Sequence, residues 1–254
     1  MNGISILLII FILLTLIVGG KIGFRAILGL ATNFLIILIA ITLLNWGFNF
    51  WIVSLITVSA LIVLTIAPNS DDSKISDLSI KTTFIVVALI LILITALQLG
   101  LHLGGWGEES LEDFEGFSTA IGIDVKRLSI LVVTISVIGA VAEASMATTA
   151  DLFELREDNP EIVSTNFLNA SNKISTQILG TAITTLLFGM LGSNLPLIIW
   201  FKKVGLSLGQ IVNSKILSIE LTTMLLGMLG VVASIYLSSY FAYREFFEVK
   251  VSKE

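Results

Sequence analysis

Residues 136–151 read SVIGAVAEASMATTAD and set one carboxylate, Glu143, in the middle of an apolar stretch. An ionised carboxylate in hydrocarbon is costly unless it is paired or hydrated, so Glu143 has to be protonated, hydrogen-bonded or facing a wet cavity. A group confined to those states can bind and release a proton or a cation. Helical spacing puts Glu143, Ala147 and Asp151 on one face at i, i+4 and i+8, so a route from Glu143 to the near end of the helix passes Asp151. Ser145 and Thr148 add hydroxyls to this helix. The next apolar stretch supplies Gln177, Thr181, Thr184 and Thr185, preceded by Ser175 and Thr176, and carries no basic residue. These groups can solvate a neutral acid. The competing interpretation is a permanently protonated Glu143 that serves only as a hydrogen-bond donor gluing two helices together.

The same segment is dense in small side chains, among them Gly139, Ala140, Ala144 and Ala147, with Gly180 on the following helix. Small residues let membrane helices approach closely, so the helix bearing Glu143 is expected in the interior of a bundle. Little else is equipped for chemistry. There is no cysteine, which removes disulfides, thiolate metal sites and thiol catalysis. The single histidine, His102, falls where a helix leaves the membrane. With no second intramembrane carboxylate to pair with Glu143, the acid–base and nucleophile sets of an intramembrane enzyme are missing, and neither an enzyme nor a cofactor is expected. Glu108, Glu109, Glu112, Asp113 and Glu115 match no calcium-loop spacing and read as a solvated acidic loop, so no metal site is expected. The net charge of −5 and the lack of any Lys/Arg cluster leave no footprint for nucleic acid.

The elements that must position these residues follow from composition. Of 254 residues, 56% are hydrophobic and 13% charged, with a mean hydropathy of +1.01, too apolar for the solvated surface of a soluble domain. The lipid bilayer is therefore the expected solvent. The apolar residues form blocks of about twenty, the length that crosses a hydrocarbon layer of about 30 Å. The expected fold is all-α, a polytopic bundle of about seven spans in one domain, at about 4–20, 24–44, 48–67, 82–102, 128–150, 174–192 and 219–242. Met1 to Ser5 carry no positive side chain and no cleavage pattern follows Leu16, so the first block reads as a retained helix and not a secretory signal.

Lys and Arg set the orientation, because cytoplasmic loops carry their excess. An outside amino terminus places Lys21, Arg25, Lys74, Lys81, Arg156, Lys173, Arg244, Lys250 and Lys253 inside, against Lys126, Arg127, Lys202, Lys203 and Lys215 outside. The carboxyl terminus is then cytoplasmic. Trp46, Trp51, Trp106 and Trp200 read as interfacial anchors, and the GxxxG spacings at Gly19/Gly23 and Gly100/Gly104 as packing or capping at span ends. Residues 162–173 read as a helical lead-in to the sixth span, with a surface-lying amphipathic helix as the alternative. Residues 195–201, after a Gly-Ser-Asn-Leu-Pro break, are open between a re-entrant piece and a continuing helix.

Three stretches carry a family resemblance: GGKIGFRAILGL at 19–30, IGAVAEASMATTADLFELREDNP at 138–160 and ILGTAITTLLFGMLGSNLPLIIWF at 178–201. Together they resemble the YibE/F family of bacterial multipass membrane proteins over nearly the whole chain. That family commonly has Asp at the position of Glu143 and Arg-Asp at the positions of Thr176 and Gln177, so if an Arg–carboxylate pair works in relatives, it is absent here. Larger relatives carry an extracytoplasmic domain. The resemblance thus implies a bacterial cytoplasmic-membrane protein whose partner is a larger YibE/F-like subunit, or a homo-oligomer. The expected function is a transport protein or transport-complex subunit coupled through Glu143 and Asp151; the alternative is a non-transporting assembly factor or structural partner.

Overall fold

In the computed structural model, residues 3–70, 72–101 and 125–247 are described. His102, Gly104, Trp106, the acidic stretch from Glu108 to Glu115, Lys250 and Lys253 lie outside them. The described chain is helical throughout, in the order α1 (Gly3–Asn45), α2 (Phe50–Ile66), a 3-10 turn (Ala67–Asn69), α3 (Ser73–Leu101), α4 (Val125–Asp158), α5 (Ser164–Val204), the short α6 (Leu208–Val212) and α7 (Lys215–Phe247). Six of these helices are long and apolar enough to cross a membrane.

At about 1.5 Å per residue, the 43 residues of α1 would measure about 65 Å unbroken, twice the hydrocarbon layer. The helix breaks at Gly20, whose φ of 52° and ψ of −124° belong to a region that only glycine enters freely. Residues 3–19 and 21–45 fold sharply against each other there. A Cβ on Gly23 would run into the backbone carbonyl of Thr15. Six long helices, the first holding two helical segments, correspond to the expected bundle of about seven spans.

Caps mark the other ends. Asn49 accepts hydrogen bonds from the N–H groups of Trp51 and Ile52 at the start of α2, Gly205 closes α5 in the left-handed conformation, and Ser207 with Gln210 forms a capping box on α6. Residues 164–173 are the opening turns of α5, which continues through Pro196 to Val204, so 195–201 is helical and part of the same helix as what precedes it.

The core forms around α4. Ile62 of α2, Val86 of α3, Val137 and Val141 of α4 and Leu226 of α7 belong to one buried apolar cluster. Glycines bring α7 in close: Gly227 faces Leu186 of α5, and Gly230 faces Val141 and Val137 of α4 and Ile90 of α3. Close approach is what holds helices together where lipid and protein are equally apolar. At one end, an aromatic group fastens the α4–α5 hairpin to α7. Phe167 meets Phe246 and Phe247 edge-on, and Arg156 lies over the Phe247 ring while donating from Nη1 to the Ile162 carbonyl at 3.1 Å.

Candidate functional site

The period of α4 divides its polar residues between two opposite sides. Glu143 is exposed, and Ser136, Gly139 and Asp151 are exposed on the same side, with Ala147 and Ala150 half-buried between them. Ser145 and Thr148 point the other way and are fully buried. The residues expected to line one site therefore form two polar zones, one on the outer surface of the bundle and one in its core.

On the outer zone, Ala144 and Ala140 pack with Ile178 and Ala182 of α5 and with Val231 and Ile235 of α7. Glu143 adjoins Ala144 in the chain, and Gln177 and Thr181 adjoin Ile178 and Ala182, so the carboxylate and the α5 polar groups stand at one level of the bundle. Gln177, Gly180, Thr181, Thr184 and Thr185 are all exposed. The Thr181 hydroxyl donates to the Gln177 and Ile178 carbonyls and the Thr184 hydroxyl to that of Gly180. Their protons are thus used within α5, which leaves lone pairs to accept from a neutral acid. Among the described residues Glu143 makes no hydrogen bond or ion pair. Gly139 and Gly180 have open space where a Cβ would stand. An acid at mid-length of an apolar helix does not belong against lipid tails, so this face calls for a covering of protein, water or a bound cation.

In the core, Ser145 has partners on two other helices that no feature of its own segment singles out. Its Oγ donates to the Ser79 carbonyl of α3 at 3.3 Å and lies 3.0 Å from Ser238 Oγ of α7. Ser79, Thr82, Thr83, Thr148 and Thr149 are fully buried as well. The legible signal was a spacing: S-x-x-T-T occurs at Ser79, Thr82 and Thr83 and again at Ser145, Thr148 and Thr149. A mainly apolar groove of about 410 Å³ lies between α5 and α7, where Leu179, Val232 and Ile235 line it together with Ser175, Thr176 and Ser239. Ser175 Oγ and Ser239 Oγ meet across it at 3.3 Å. Among the described residues no group of acidic or histidine side chains is placed to hold a metal ion.

Long apolar helices, a close-packed small-residue interior and a mid-helix carboxylate define a multipass α-helical membrane protein. Comparison with family models gives the particular kind: the model of YibE/F-like proteins matches residues 7–246, and the chain belongs to that family. No curated protein and no solved structure matched it.

Proposed function

We propose that this protein is a transport protein, or a subunit of a transport complex, of the bacterial cytoplasmic membrane, in which Glu143 takes up and releases a proton or cation as α4 and α5 rearrange. The observation that supports this reading is the outward-facing, unpartnered carboxylate at mid-length of α4, level with α5 residues among which the Thr181 and Thr184 hydroxyls already donate within their own helix and so have lone pairs to offer. Loading Glu143 with a proton or cation removes the cost of a bare charge at that depth, which is the energetic basis for coupling occupancy to helix position. Asp151, two turns along the same face, offers a stepping stone to the end of the helix. The amino terminus lies outside and the carboxyl terminus in the cytoplasm, following the excess of Lys and Arg. The protein is not an enzyme and needs no cofactor.

The test is proton uptake or release by the purified protein in liposomes under an imposed pH gradient, with Glu143→Gln as the comparison. A flux that Glu143→Gln removes, at an unchanged level of folded protein, is the expected result. Full flux in the variant would sink the proposal.

The open surroundings of Gly139 and Gly180 favour a second reading, in which the face around Glu143 is a contact surface and the protein is a non-transporting assembly factor for a larger YibE/F-like subunit or for a second copy of itself. That reading predicts a partner copurifying in mild detergent, lost on Gly139→Leu and indifferent to Glu143→Gln.

A further inference from the structure

The most polar part of the bundle core is a seam of hydroxyls where α3, α4 and α7 meet. Ser79, Thr82, Thr83, Ser145, Thr148, Thr149 and Ser238 contribute to it, each at most 1% exposed. Buried serines and threonines in helices usually spend their hydroxyl on the carbonyl one turn back, as Thr134 does with Ile130 at 2.7 Å. The hydroxyls of Ser79, Thr82, Thr83, Thr148 and Thr149 do not: all five are buried without a hydrogen-bond partner. An unmade bond of this kind costs about 1–3 kcal/mol per group, so five in one place imply an occupant that makes them.

Their arrangement gives the occupant a shape. Ser79 lies level with Ser145 and Ser238, whereas Ile90 lies level with Val137, Val141 and Gly230. Increasing number along α3 thus corresponds to decreasing number along α4 and α7, and α3 runs antiparallel to both. The two S-x-x-T-T stretches consequently meet at their serines and extend their threonine pairs in opposite directions. Four residues each way at about 1.5 Å per residue makes a polar seam about 12 Å long. The seam ends in one direction at Val86, Val141 and Val231, all fully buried. In the other direction it runs toward the end of the bundle marked by the ion pair of Lys74 with Glu245 at 3.3 Å.

We infer that this seam holds ordered water on either side of the serine contact, beside Thr148 and Thr149 toward the charged end of the bundle and beside Thr82 and Thr83 toward the valine layer. A neutral donor–acceptor lining of small side chains suits water, which satisfies about three otherwise unmet polar groups per molecule. This water lies on the opposite side of α4 from Glu143, so it marks a second hydrophilic zone and does not rest on the function proposed for that carboxylate.

The test is water-edited solid-state NMR on threonine-labelled protein in bilayers, with Thr134 as a built-in control that is equally buried but already bonded. Magnetisation from water should reach Thr82, Thr83, Thr148 and Thr149 at least several-fold faster than Thr134, and Thr82→Val with Thr149→Val should slow transfer to the threonines that remain. Build-up at all four as slow as at Thr134 would overturn the inference. So would threonine shifts that follow the replacement of sodium and potassium by N-methylglucamine, because these would make the occupant a cation.

Discussion

Ser145 Oγ sits 3.0 Å from Ser238 Oγ while donating to the Ser79 carbonyl, so one small side chain ties α4 to α7 and to α3 at the same level. Ser145→Ala removes both links and leaves the Ser238 hydroxyl with only the Ser145 carbonyl at 3.5 Å. The expected loss is about 1–3 kcal/mol. Thermal unfolding in detergent should show it, and Ser145→Ala with Ser238→Ala should cost less than the sum of the two single changes.

Gly230 separates packing from propensity. A Cβ there would stand 2.7 Å from Val141 Cγ2 and 3.3 Å from Val137 Cγ1. Gly230→Ala should therefore destabilise the bundle by about 1–3 kcal/mol, and Val141→Ala should restore much of the loss. Gly139→Ala, with open space around its Cβ, should be neutral or slightly stabilising in the same denaturation experiment.

The break in α1 depends on a conformation closed to other residues. Gly20→Ala at φ 52° should cost about 1–3 kcal/mol of the folded-back arrangement. Spin labels on residues 8 and 33 would read it as a changed or broadened distance distribution. An unchanged distribution would mean that the turn tolerates a side chain.

Arg156 is held by geometry as well as charge, through the Phe247 ring, whose centroid is 5.2 Å from its Cζ, and through the Ile162 carbonyl. Lysine keeps the charge but not the planar fork. Arg156→Lys should loosen the start of α5 by about 1 kcal/mol. The check is faster amide hydrogen exchange over residues 164–172, with exchange in α2 unaffected.

The membrane class and helical fold were readable because both are properties of twenty-residue averages, and lipid leaves the backbone few alternatives. The prominence of Glu143 was readable for a related reason: one carboxylate in an apolar block stands out whatever surrounds it. Which way it points was harder to see. Ser145 and Glu143 are only two residues apart, yet the helical period sends one into the core and the other outside, and small residues on both sides of α4 gave no hydrophobic contrast to tell the two apart. Ser79, Thr82 and Thr83 were missed because hydroxyls near the start of a span look interfacial in a sequence; only the packing of α3 against α4 and α7 encloses them.

One consequence of the length of α5 concerns reach. Its 41 residues measure about 60 Å, against a hydrocarbon layer of about 30 Å. Much of this helix therefore stands clear of the hydrophobic slab, with Lys202 and Lys203 in its last turn. The aromatic contacts of Phe167 with Phe246 and Phe247 hold it to α7 near its first turn. Phe201, fully buried near the other end, holds it there as well, so α5 sets a fixed spacing between the hairpin at one end of the bundle and a pair of positive charges at the other.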